Sequence, residues 1–272
     1  MAEPETASQG PGSAVADARP PGAPPSGARP AFYARGGGPV GDWITLLHPP
    51  YTAWHLGYVG LGAALVPRLD WAVFWASLAG FALAVGVAAH ALDEWKGRPL
   101  RTGISGEALW TAAVLSLAGA CALGVGVLRH SGYALLPLIA VGVVLVLGYN
   151  LELFGGALHT DLGFALAWGA FPVLVGYVAQ GPRWNLPGTC ALLFAALAAT
   201  AFSAAQRRLS TPARILRRRV AEVAGEIRFA DGSTAALDRS TLLNPLDGAL
   251  KLLSAVSPTV AAALLLYRWS AR

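Results

Sequence analysis

From His48 onward the chain alternates long apolar runs with short polar breaks. Seven runs read as helices that cross a bilayer, at roughly 51–67, 71–92, 107–128, 133–151, 162–180, 187–206 and 248–267. A span needs about 20 apolar residues, or somewhat fewer at the short end. Most spans are joined by connectors as short as Pro67–Asp70, Arg129–Gly132 and Gly181–Asn185, the lengths of tight turns outside a membrane. The predicted fold class is all-α, a polytopic membrane bundle of about seven helices within a range of seven to nine.

Two stretches fall outside this rhythm. Residues 1–45 are rich in Pro, Ala, Gly and Ser. They cannot bury enough apolar surface to offset their ordering entropy, which predicts a disordered tail. The basic-then-apolar order of a secretory signal is missing there. Residues 207–247 form the longest polar interruption. Within it Ser210-Thr211-Pro212 reads as a helix start, running to about Ala224. Glu226–Phe229 and Thr234–Leu237 then read as a hairpin about Asp231-Gly232. The expected organisation is a tail at 1–45, a bundle at 46–206, a basic insert at 207–247, and a last span with a short tail at 248–272.

Composition agrees with this pattern. The 272 residues are 55% hydrophobic and only 13% charged, with mean hydropathy +0.51. That excludes a disordered chain or a nucleic-acid-binding domain, both of which need denser charge. The net charge of +5 is unevenly placed. Twelve basic residues, from Lys96 through the Arg207–Arg219 run to Lys251, fall on one side of the bundle, and five, including Arg68, Arg183 and Arg272, on the other. The positive-inside rule puts the first side, and the N-terminus with it, in the cytoplasm of a multi-pass protein of the cell membrane. The basic segment 207–219 reads as a topology signal and a contact for anionic lipid headgroups, with no nucleic acid as partner. Cys121 and Cys190 sit in apolar runs without Cys-x-x-Cys spacing, which argues against a disulfide framework or a zinc ribbon.

Acids are scarce, so their positions stand out. Asp93, Glu94, Glu152 and Asp161 lie at the cytoplasmic ends of the second, fourth and fifth spans, and His55, His90 and His159 are close to them. Ionisable groups at membrane depth are costly and mark lined cavities. His90, Asp93 and Glu94 have i, i+3, i+4 spacing and share a helix face. Converging carboxylates can hold Mg²⁺, which makes Asp93, Glu94, Glu152 and Asp161 the expected metal ligands. Lys96, Arg98 and Arg101 are then placed to neutralise a phosphate. With His55, His90 and His159 added, the same set suits Fe or Zn. Asn150, two residues before Glu152, is a further polar candidate. Gly163, Gly169 and Gly176 favour close helix packing, and Pro172 predicts a kink.

Several of these pieces, taken in order, resemble the UbiA superfamily of intramembrane prenyltransferases. Leu47-His48-Pro49-Pro50 is similar to the family's Arg-Pro opening. Ala89-His90-Ala91-Leu92-Asp93-Glu94-Trp95-Lys96-Gly97 sits where the family carries its first aspartate motif, and of that motif's acids Asp93 is retained. Arg98-Pro99-Leu100-Arg101-Thr102-Gly103-Ile104-Ser105 resembles the following connector, one residue short. Tyr149–Glu152, Asp161-Leu162-Gly163 and Gly176-Tyr177 are similar to the middle of the menaquinone-type branch. The place of the second aspartate motif reads Ala204-Ala205-Gln206-Arg207-Arg208-Leu209-Ser210, without an acid. The resemblance, over about residues 46–206, implies Mg²⁺-dependent transfer of a prenyl group from a prenyl diphosphate to an acceptor in the bilayer. Asp93 and Glu94 would be catalytic in such a reaction. Two other readings remain open: a non-catalytic binder of an isoprenoid or a partner, and a His/carboxylate metalloenzyme acting on a lipid.

Overall fold

A computed structural model describes residues 29–35, 38–182 and 184–270. Residues 1–28 of the expected tail, and Arg183 and Arg272 of the basic count, lie outside the described residues.

Each apolar run forms a helix. After a short α1 (Pro39–Leu46) come α2 (Pro49–Ala64), α3 (Trp71–Gly97), α4 (Gly106–Ser131), α5 (Leu135–Asn150), α6 (Asp161–Ala179) and α7 (Leu186–Arg218). A two-stranded hairpin, β1 (Ala224–Arg228) and β2 (Thr234–Asp238), leads into α8 (Arg239–Ser270). The fold is an all-α membrane bundle, and α3, α4, α6, α7 and α8 are each long and apolar enough to cross a membrane. Only 17% of the most apolar stretch of α4, α7 and α8 is buried inside the protein, so most of their apolar side chains face outward, as lipid contact requires.

Helix ends follow local chemistry. Asp70 caps α3 by accepting from the N–H groups of Ala72 and Val73, while Ser105, Thr160 and Asn185 cap α4, α6 and α7. Glycine sets how closely α2, α6, α7 and α8 approach. A Cβ on Gly62 would overlap the Val173 carbonyl, one on Gly176 the Val59 carbonyl, and one on Gly57 the backbone at Pro258. Without hydrophobic drive between helices in lipid, such backbone contact is what packs them. The α2–α8 contact is closed by the Ser257 hydroxyl donating to the Trp54 carbonyl at 2.7 Å and by Arg268 donating to the Ala64 carbonyl.

Two boundaries differ from the sequence reading. Pro39–Leu46, expected in the tail, is helical, because Trp43 and Leu46 pack on the core and Asp42 accepts from the Gly103 N–H at 2.8 Å. The helix expected to start at Ser210 is instead the continuation of α7, which passes Pro212 unbroken to Arg218. At 1.5 Å per residue its 33 residues measure about 50 Å against a hydrocarbon core of about 30 Å. The helix is thus longer than a single crossing needs, and its last third, with Arg214 and Arg218, lines a cavity at one end of the bundle. The hairpin forms with Glu226 opposite Ala236 and Gly232 at positive φ in the turn.

Candidate functional site

The cavity at that end of the bundle encloses about 520 Å³ and is walled by α2, α3, α5, α6 and the basic end of α7. Its floor is the apolar cluster containing Val85, Leu92, Tyr149 and Trp168. Residues 30–33 run across its mouth, where Phe32 and Tyr33 set ring edges against Tyr51 at 6.0 and 5.5 Å. Burial, and then Tyr51, pushes the Tyr33 hydroxyl far above its ordinary range.

Histidines form one wall. His48 precedes α2 in a left-handed conformation (φ 45°) and stacks on His90 with ring centres 3.9 Å apart. Burial, then His90 and Arg218, hold His48 well below the usual imidazole range, so it is neutral. The two helix histidines are oriented by carbonyls. Pro172 has no N–H for the carbonyl four residues back, at Trp168, and His55 Nδ1 takes that carbonyl at 2.8 Å. His90 Nδ1 reaches the Gly86 carbonyl at 3.2 Å inside a π-helical stretch, Ala82–Ala89. A carbonyl only accepts, so the proton is on Nδ1 and Nε2 carries the lone pair in both rings. His159 is held differently: it stacks on Tyr149 at 4.4 Å and bonds its carbonyl.

The opposite wall is arginine. Arg207, Arg214, Arg217 and Arg218 line the cavity from α7. Arg207 Nε pairs with Asp161 at 2.9 Å, and its guanidinium lies 5.3 Å over the Phe164 ring. Arg217 pairs with Asp247 of α8. Arg217 Nη1 and Arg218 Nε are buried and have no hydrogen-bond partner. Among the described cavity-lining residues, Gln206 Oε1 and Asp247 Oδ1 are likewise buried without a hydrogen-bond partner, so unmet acceptors accompany the unmet donors. Asp93, on the facing helix, lies within the fields of Arg218 and Arg214.

The expected site residues divide accordingly. Asp93, His55, His90, Asn150, Glu152 and His159 line the cavity. Glu94 does not: it is fully buried away from it, where its carboxylate accepts from the Leu100 N–H (2.8 Å), the Thr102 N–H (2.8 Å) and the Thr102 hydroxyl (2.9 Å). Glu94 therefore holds the Arg98–Ser105 connector and is not free for a metal. Glu152, at the rim, is paired with Lys96 at 2.8 Å, whose hydrogen bond keeps the carboxyl below its ordinary range. Asp161 is largely exposed and bound to Arg207. Lys96, Arg98 and Arg101 lie outside the cavity wall: Lys96 on Glu152, Arg98 on the Ile104 carbonyl, and Arg101 exposed in the connector. Among the described residues no three of His, Cys, Asp or Glu come together as a metal site. Of the expected Mg²⁺ ligands, Asp93 and Glu152 line the cavity, while Glu94 is held by the connector and Asp161 by Arg207. The described residues form no three-ligand cage of the kind the Fe or Zn alternative needs.

The sequence reading missed the arginines, His48, Tyr33 and Tyr51 as cavity residues. A signal for the arginines exists, since Arg207, Arg214 and Arg218 are spaced by seven and four and share one face of a continuous helix. Reading Ser210-Thr211-Pro212 as a start divided that face in two.

Below the cavity an apolar groove runs between α3, α4, α5 and α6, with Phe81, Leu117, Ile139 and Phe171 among its walls. It encloses about 100 Å³ and shares Val85 and Trp168 with the cavity above. A charged chamber thus meets an apolar slot inside one bundle.

No protein-family model matches the sequence, and no curated protein matches it. Among solved structures the chain is similar to one described as a UbiA homolog from Archaeoglobus fulgidus bound to Cd²⁺. The alignment covers 84% of this chain and 87% of that one, at 18% identity and a TM-score of 0.43.

Proposed function

We propose that the protein binds a prenyl diphosphate, with the diphosphate in the arginine cavity and the isoprenoid chain in the groove, and transfers the prenyl group to an acceptor in the membrane. The observation that carries this reading is the junction at Val85 and Trp168, where a cationic chamber meets an apolar slot. An amphiphile with a polyanionic head and a slender apolar chain, as a prenyl diphosphate is, matches both halves. The likeness of the Arg98–Ser105 connector to the prenyltransferase family supports the same reading.

In the reaction the C1–O bond of the prenyl diphosphate breaks, and its electron pair leaves with the diphosphate. A lone pair or ring carbon of the acceptor forms the new bond to C1, and the acceptor's proton passes to His90 Nε2. The arginines stabilise the charge that develops on the leaving group, an electrostatic role that needs donors already in place. The groove is small, so it holds the first part of a long chain and the bilayer holds the rest. The cavity mouth faces the cytoplasm, on the side of the basic excess.

Protein in lipid nanodiscs, supplied with labelled prenyl diphosphates of increasing length and a membrane-lipid extract, tests this. Pyrophosphate release and a labelled lipid product are expected, both lost in Arg214→Ala. Binding without release at every length and acceptor would remove the transfer and leave an isoprenoid binder. Impermeant thiol labelling of Ser233→Cys, in the hairpin turn, should succeed only after cells are opened.

A further inference from the structure

We infer that the anionic headgroup is held directly by guanidinium groups of α7, without a bridging divalent cation. This inference rests on the reading of the cavity as a diphosphate site and concerns how that site binds.

The donors favour an anion over a cation. Of the four carboxylates expected around a metal, Glu94 is used by the connector, Glu152 by Lys96 and Asp161 by Arg207. Asp93 is the acid left facing the chamber. Against it stand Arg214 and Arg218, with Arg207 and Arg217 alongside. A divalent cation placed there would meet three carboxylates, Asp93, Glu152 and Asp247, the last two already paired with Lys96 and Arg217, against five guanidinium groups, and repulsion would exceed attraction. A polyanion meets the reverse balance. Where a second set of acids would complete a metal site, the chain has Gln206 and Arg207. Arg207, Arg214, Arg217, Arg218 and the C-cap residue Arg219 all line the chamber from one helix. Guanidinium forks bind phosphate oxygens in bidentate fashion and stay charged when buried.

Calorimetry on the full chain in zwitterionic nanodiscs, with inorganic pyrophosphate as the probe, tests the inference. Binding should persist in EDTA and should not strengthen in excess Mg²⁺, which competes for the free anion. Arg214→Gln and Arg218→Gln should each weaken it by about tenfold or more, the loss expected when a charged hydrogen bond is removed. Should either variant fail to fold, Mn²⁺ resonance on the unaltered protein replaces it: only free and pyrophosphate-bound Mn²⁺ should be seen, and a protein-bound signal overturns the inference. Binding that requires Mg²⁺ and vanishes in EDTA also overturns it, while leaving the diphosphate site standing. If neither pyrophosphate nor a prenyl diphosphate binds under either condition, the site reading itself fails. Displacement of pyrophosphate by phosphatidylglycerol nanodiscs, but not by prenyl diphosphate, would assign the arginines to a lipid headgroup and overturn both.

Discussion

Replacing Glu94 distinguishes a carboxylate that shapes the connector from one that acts on a ligand. In the native protein Glu94 is fully buried and receives two amide N–H groups and a hydroxyl, at 2.8, 2.8 and 2.9 Å. Glu94→Ala leaves those three donors without an acceptor. Each buried orphan costs about 1–3 kcal/mol, and because the connector can turn some of them to water the sum falls near the low end, about 3–5 kcal/mol. Glu94→Gln keeps the shape and one oxygen but sets an NH₂ against a donor, a loss of about 1.5–3 kcal/mol. At about 2–4 °C per kcal/mol for a chain of this size, Tm should fall by roughly 3–12 °C for Gln and by roughly 6–20 °C for Ala. Thermal unfolding in detergent, with hydrogen exchange read at Leu100 and Thr102, measures both effects. Exchange at those two amides should rise in the same order. Pyrophosphate affinity of Glu94→Gln should change little, since Glu94 does not line the cavity. An unchanged Tm and unchanged exchange, combined with abolished ligand binding, would refute the reasoning and return Glu94 to the ligand.

Three further outcomes are expected. Gly176→Ala forces a Cβ into the Val59 carbonyl and must push α6 from α2, destabilising the bundle by about 1–3 kcal/mol in detergent unfolding; an unchanged Tm would mean the helices slide apart freely. Gly142 borders the groove, where a Cβ would lie 3.5 Å from the Phe171 ring, so Gly142→Phe should shift preference toward short-chain prenyl diphosphates while pyrophosphate binds as before. Asp238 caps α8 by accepting from Ser240 and Thr241, which lowers its carboxyl from 3.8 to about 2. A depressed carboxyl stabilises the folded state above its unfolded value and loses that effect as pH falls. Protection of the first turn of α8 should therefore drop between about pH 4 and pH 2, and Asp238→Asn should remove that pH dependence.

The spans were legible because lipid demands long apolar runs, and no packing detail alters that demand. The hairpin was legible for an equally local reason, the Asp231-Gly232 turn between two short strands. The basic end of α7 was not. Pro212 can begin a helix, yet it is also tolerated inside one whose lost backbone bond lies at the membrane surface, within reach of water. That ambiguity hid the face shared by Arg207, Arg214 and Arg218. Scarcity brought Asp93, Glu94, Glu152 and Asp161 to notice but says nothing of what each is bonded to. Local partners decided that: the Arg98–Ser105 connector claimed Glu94, and single basic residues claimed Glu152 and Asp161. His55 shows the converse case, where Pro172, more than a hundred residues away, frees the carbonyl that orients it. Such pairings depend on how helices approach one another, which spacing along the chain does not encode.

The central claim is that one molecule fills both the arginine cavity and the apolar groove. A farnesyl diphosphate analogue carrying a photoreactive group on the chain unit nearest the diphosphate tests this most directly, with the labelled residues read by mass spectrometry. Labelling at Phe81, Ile139 or Phe171, suppressed by excess pyrophosphate, is the predicted result. Labelling confined to outward-facing residues of α7 such as Phe194 and Leu197, or labelling that pyrophosphate leaves untouched, would contradict it.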